Sequence, residues 1–134
     1  MQKLFFRLFT LMIFVSLSCV ESYSATPKGA IIEVKESSHN FGRVSRHSDN
    51  LSHTFKLYNH GTSPLVITDV TTTCTCLKAK YSKRPLMPKD SMEMKIIYDI
   101  KRKEVGTFSK IVKIYSNATN APFEVITING ESVE

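Results

Sequence analysis

From Ala30 to the C-terminus, apolar and polar residues alternate in short runs set apart by turn-forming residues. The clearest run is Ser91 to Asp99. Met92, Met94, Ile96 and Tyr98 fall on one side of it, and Ser91, Glu93, Lys95, Ile97 and Asp99 on the other. A period of two is what a half-buried strand requires, because successive side chains leave opposite faces of the pleat. Ser52 to Tyr58 repeats the pattern, with Phe55 and Leu57 set against Thr54, Lys56 and Tyr58, and Asn59-His60-Gly61 closes it as a turn. Further strands are predicted over Ala30–Val34, Phe41–Val44, Pro64–Val70, Cys74–Tyr81, Thr107–Tyr115 and Phe123–Ile128, the last two joined by the polar turn Ser116 to Pro122. Turn residues recur about every 8–12 residues, the spacing of a sandwich. β-Branched stretches such as Ile111 to Ile114 and Val125 to Ile128 favour strands. No run in this part of the chain keeps a 3.6-residue apolar period for three turns. The pattern predicts one all-β domain over residues 30–134, built of about seven strands in two antiparallel sheets packed face to face.

The N-terminus has a different order. Lys3 and Arg7 give a positive start, Leu8 to Leu17 is apolar apart from Thr10 and Ser16, and polar residues take over at Glu21 to Ser24. This is the plan of a secretory signal, and the apolar run is too short to span a bilayer. Two cleavage points are open. Ser22 and Ser24 suit a cut before Ala25, making residues 1–24 a signal peptide and residues 25–29 a short tether. Alternatively, Leu17-Ser18-Cys19 resembles a lipoprotein box, with Ser16 where such boxes usually carry Leu; Cys19 would then lead the mature chain and carry lipid. One acyl chain binds a membrane weakly, several anchor it stably. The expectation is an exported protein of the periplasm or cell envelope that meets membrane only through such an anchor.

Charge and cysteine count narrow the class. The 134 residues include 18 Lys and Arg against 12 Asp and Glu, a net charge of +6, and a cut before Ala25 leaves +5. Three cysteines are too few for a disulfide scaffold. Basic residues cluster at Lys78, Lys80, Lys83 and Arg84, and at Lys101, Arg102 and Lys103. Export, and the lack of aromatic residues interleaved with these bases, argue against nucleic acid. The clusters read either as charged strand edges that discourage aggregation or as a surface for anionic envelope polymers or lipid head groups.

An ordered set of short pieces carries a likeness: His39-Asn40-Phe41-Gly42, Asn59-His60-Gly61, Pro64-Leu65-Val66-Ile67, Cys74-Thr75-Cys76, Met87-Pro88, Tyr98-Asp99, Gly106-Thr107-Phe108-Ser109-Lys110, Ser116-Asn117 and Gly130. Over about residues 38–131 the chain resembles an exported, Bacteroidetes-type bacterial family of unknown function, akin to Hydin-type domains. The resemblance implies an immunoglobulin-like sandwich and an exported address, and it lends no activity. Two departures stand out. The family usually carries Cys-Gly-Cys where this chain has Thr75, so residue 75 is expected in ordinary strand geometry. It usually has Pro-Gly where this chain has Pro88-Lys89, so a type I turn is expected, since type II needs positive φ at its third residue.

Cys74 and Cys76 are the leading site candidates. On a strand they would share one face with Cα atoms about 6.6 Å apart, near the upper limit for a disulfide, so a bond between them needs a local bend and would be strained. Three readings are open: two buried structural thiols, a disulfide or redox pair, or soft metal ligands. Zinc wants four ligands and the pair supplies two. His39, His47, His53 and His60 show no metalloprotease spacing, and bringing His39 to His53 is left to the fold. Met92 and Met94 could join a copper(I) site, although a Met stripe at strand spacing reads first as core. Asn117-Ala118-Thr119 matches a glycosylation sequon, which in a bacterial chain is simply a hairpin turn. The chain carries no Gly-x-Ser-x-Gly elbow, His-Glu-x-x-His or Gly-rich phosphate loop. The reading is a non-catalytic, cofactor-free envelope module that binds a protein or envelope polymer, with an exposed edge strand as one means of doing so. The alternative is a thiol redox or copper-binding protein using Cys74 and Cys76.

Overall fold

The alternating run at Ser91–Asp99 becomes strand β6 (Ser91–Tyr98), with Met94, Ile96 and Tyr98 almost wholly buried and Met92 nearly so. The chain is described by a computed structural model covering residues 25, 26, 28–102 and 105–134. Residues 1–24, which the sequence reads as a secretory signal, lie outside the described residues, Cys19 among them. The remaining strands are β1 (Ile32–Val34), β2 (Ser38–Ser45), β3 (Leu51–Asn59), β4 (Ile67–Thr72), β5 (Leu77–Tyr81), β7 (Gly106–Ser116) and β8 (Phe123–Val133), with one 3₁₀ turn at Ile100–Arg102. They form two four-stranded sheets, ordered β1-β3-β6-β5 and β2-β8-β7-β4.

The core lies between the sheets. Ile32, Phe55, Leu57, Leu77 and the inward side of β6 meet Val112, Ile114, Ile126 and Ile128. Fully burying a side chain of this size stabilises by about 1.5–3 kcal/mol, so the alternating runs carry the fold.

The structure corrects several sequence expectations. The all-β sandwich of two packed sheets is as expected, with eight strands among the described residues for the about seven foreseen, but it is not wholly antiparallel. β2 pairs with β8 in parallel, from Ser38↔Thr127 to Ser45↔Val133. The cause is that the chain passes from β1, on one edge, to β2, on the edge of the other sheet, without a hairpin. Ser37 C=O accepts from Thr127 N–H at 2.8 Å and draws the crossing segment onto β8. The strand expected at Pro64–Val70 starts only at Ile67, because Leu65 makes a separate bridge to Leu86. The Asn117 side chain holds that segment, donating to Pro64 C=O at 3.0 Å and accepting from Val66 N–H at 2.8 Å.

The turn at Pro88-Lys89 also differs from expectation. Lys89 has φ 64°, the left-handed region that the type I reading excluded. Tertiary hydrogen bonds hold it there: Lys89 N–H donates to Asn59 C=O at 2.8 Å and Asn59 N–H to Asp90 C=O at 3.1 Å.

Candidate functional site

The strand expected over Cys74–Tyr81 starts at Leu77, so the cysteines sit on the turn between β4 and β5 rather than on a strand face. Leu77 N–H donates to Cys74 C=O at 3.1 Å and closes the turn. The Thr72 hydroxyl donates to the same carbonyl at 3.0 Å. The bend brings the two Cα atoms to 5.1 Å, inside the range for a disulfide, and Cys74 and Cys76 are joined. Thr75 is exposed at the tip without a left-handed φ, so the expectation of an ordinary conformation holds while that of a strand does not. Cys74 is half-buried, Cys76 is buried, and Cys76 N–H points at Cys74 Sγ at 3.2 Å.

This turn launches β5, which among the described strands pairs only with β6 and so forms an edge of its sheet. Asp99 N–H donates to Cys76 C=O at 2.9 Å, which sets the phase of the ladder. In an antiparallel pair every second residue turns its backbone groups to the partner. Cys76, Lys78 and Lys80 therefore face β6, while Ala79 and Tyr81 turn N–H and C=O toward the open edge, with Leu77 adding its C=O. Lys78 and Lys80 project from the outer face, and Lys80 stands opposite Lys95 of β6. Among the described residues the ion pairs are Arg43–Glu131, Arg46–Glu134 and Lys101–Asp49, with His47 beside Glu134 and His60 beside Glu33. None reaches Lys78, Lys80 or Lys95. Beyond the strand end, Lys83 donates to the Tyr81 hydroxyl at 2.7 Å and lies over its ring. A cleft of about 150 Å³ opens where the turn meets β5, with Thr75, Cys76, Lys78 and Asp99 in its wall.

The other sequence candidates fall elsewhere. Met94 is five residues before Asp99 on β6, about 17 Å along the strand, and Met92 is farther; both face the core, so the fold does not gather them with the cysteines. His39 and His53 do meet, their rings stacked with centroids 3.6 Å apart between β2 and β3. Burial pushes the His39 pKa below its ordinary 6.5, and His53 adds to the effect against an opposing pull from Glu36. No group of three or more His, Cys, Asp or Glu converges as a metal site among the described residues.

One feature escaped the sequence reading. Gly42, Phe108 and Gly130, from three separate pieces of the family likeness, meet on the β2-β8-β7 side, where the Phe108 ring turns toward the core and lies 4.8 Å from the ring of buried Tyr98. A Cβ at Gly130 would lie 2.5 Å from the Phe108 ring, so the absent side chain gives the ring its seat. Charged strand edges are one sequence reading of Lys78 and Lys80, but the sequence names no particular edge. Only the strand order reveals an edge there.

Comparison with known proteins agrees with this architecture. Residues 32–132 match the model of a family described as protein of unknown function (DUF1573). A protein of unknown function from Porphyromonas gingivalis W83 superposes with TM-score 0.69 at 20% identity, over 82% of this chain and 51% of that one. The chain thus spans about half the length of that structure. The ASH/PapD-like domain 7 of human CEP192 superposes with TM-score 0.64 at 13% identity, over 89% of this chain and 96% of that domain. The VesB protease of Vibrio cholerae is matched at TM-score 0.56 and 12% identity over 78% of this chain and 32% of that one. At such identities the likeness is one of fold. No curated protein matches the chain.

Proposed function

The chain belongs to the DUF1573 family, and from that premise we propose that it is an exported, non-catalytic immunoglobulin-like module that holds another macromolecule of the bacterial envelope. The observation that carries the reading is the β5 edge, where backbone groups face solvent together with lysines that no carboxylate pairs among the described residues. An open edge offers backbone hydrogen bonds to an extended partner, and the alternating side chains select it. The signal plan of residues 1–24 supports the address, with a soluble product if cleavage precedes Ala25 and an anchored one if Cys19 is lipidated. The test is to express the full chain with photo-reactive residues at exposed positions of both sheets, then fractionate the cells. The expected result is an envelope-bound protein with discrete adducts at a subset of positions. A cytoplasmic location, or turnover of a substrate at an enzyme-like rate, would overturn the reading.

A second reading, thiol–disulfide exchange, is favoured by one observation: the bonded pair lies on a turn, with Cys74 half-buried and Cys76 in the wall of the cleft. Soft-metal binding would need the pair reduced, since disulfide sulfurs are not thiolate ligands. A loop with one residue between its cysteines removes little chain entropy, about 1.6 kcal/mol at 25 °C. Under this reading Cys74→Ser with Cys76→Ser abolishes exchange with a dithiol substrate while the β spectrum persists. If the wild-type protein exchanges no faster than the double variant, the pair is structural.

A further inference from the structure

We infer that the β5 edge takes an extended acidic segment of a partner protein as an added strand, with acidic side chains beside Lys78 and Lys80 and apolar ones over Ala79. The inference rests on the binding reading above and names its site and ligand chemistry. Backbone phase, outward charge and comparison of the four edges carry it.

The phase comes first. Ala79 and Tyr81 present N–H and C=O outward, so an incoming strand finds a ladder already in register. Charge comes second. On the same five-residue strand, Lys78 and Lys80 stand on the outer face with Lys95 behind them, and no carboxylate pairs with any of the three among the described residues. A strand added here places its outer-face side chains beside those lysines, where opposite charges attract and like charges repel. A second copy of β5 would bring lysine against lysine, so the residues that select an acidic strand also discourage self-pairing.

The other three edges lack this combination. β1 is only three residues long and carries Glu33 on its outer face, beside His60. β2 is interrupted by a register shift between Asn40 and Arg43, and Arg43 is bound to Glu131. β4 carries Asp69 at its own register shift. The partner's pattern follows from the pleat: acidic residues at every second position, with small or apolar residues between them facing the side of the core at Ala79.

The experiment uses protein produced from the full chain, in the processed form its host yields, and fluorescent peptides. One peptide alternates Glu with Val, one alternates Lys with Val, and one is the Glu–Val peptide N-methylated at alternate residues so that one edge cannot donate. Dextran sulfate serves as an anionic polymer without a peptide backbone. The Glu–Val peptide is expected to bind at least roughly tenfold more tightly than either altered peptide, and Lys78→Glu with Lys80→Glu is expected to reverse the charge preference. Both substitutions are on exposed side chains, and an unchanged β spectrum verifies folding. Ala79→Pro, which removes an outward donor, provides a second route with the lysines intact.

Equal binding of the N-methylated peptide, or competition by dextran sulfate that survives the double charge reversal, would overturn strand addition. So would self-association through β5. If no acidic peptide binds while envelope adducts form elsewhere on the surface, this inference falls and the binding reading stands. A cytoplasmic protein without adducts would remove both.

Discussion

Asn59 is fully buried and all four of its side-chain hydrogen bonds are made. Its Oδ1 accepts from Gly61 N–H at 2.9 Å and Ile31 N–H at 3.3 Å, and its Nδ2 donates to Ser63 C=O at 2.8 Å and Leu86 C=O at 2.9 Å. It ties the chain ahead of β1 to the Asn59-His60-Gly61 turn and to the Leu65–Leu86 bridge. Removing it strands several backbone groups, so Asn59→Ala should cost about 2–4 kcal/mol in urea unfolding. Tyr98 is the opposite case, its hydroxyl buried without a partner among the described residues. Tyr98→Phe should leave stability unchanged or raise it by up to about 1 kcal/mol; a clear loss would mean the hydroxyl is bonded in solution. The stacked His39–His53 pair adds a pH dependence. The His39 pKa is lowered in the folded state, so the neutral form is favoured and its stabilisation is present above about pH 6.5. That stabilisation is lost as pH falls through the ordinary value toward the lower folded one. Thermal melts from pH 8 to 5 should therefore show a steeper acid loss for the wild type than for His39→Gln, and parallel curves would refute this.

At the scale of the element, β6 was legible residue by residue, because pleat alternation is local and the core accepts one side of it. The β4–β5 connection was not. Cys74 to Tyr81 reads as continuous strand, yet the chain must cross from one sheet to the other there, and it turns at Cys74–Cys76 to do so. The Met87-Pro88-Lys89-Asp90 turn makes the same point. Lysine predicts a type I turn, but the two backbone bonds to Asn59 impose a left-handed conformation on Lys89. A side chain costs about 1–2 kcal/mol in that region, which glycine avoids at some loss of chain entropy on folding. Lys89→Gly should therefore raise stability by about 1 kcal/mol, read from the urea midpoint at unchanged slope.

For the molecule as a whole, the parallel β2–β8 pair joins the second strand to the last, so closing the second sheet brings together residues as far apart as Ser38 and Thr127. Domains dominated by such distant pairings fold slowly, in roughly milliseconds to seconds. Stopped-flow refolding should fall in that range, and a microsecond phase carrying the full amplitude would contradict it. The same closure determines which strands are edges. β1 and β2 flank one side of the sandwich, and β4 and β5 the other. β5 is thereby left with backbone groups and lysines facing solvent, so the candidate binding edge is a product of strand order.

The sequence by itself determined the fold class, most strand positions and which side of β3 and β6 turns inward. These depend on side-chain alternation between neighbouring residues, which the pleat makes a local property. It also supplied the Cys74–Cys76 pair and the lysines of β5 as residues, without their setting. Tertiary structure alone decided that β2 runs parallel to β8, that the cysteines lie on a bend, that His39 meets His53 and that β5 is an edge. Each of these turns on which distant segments share hydrogen bonds or contacts. That choice is made by the sum of pairings across the whole domain, and no short stretch of chain encodes it.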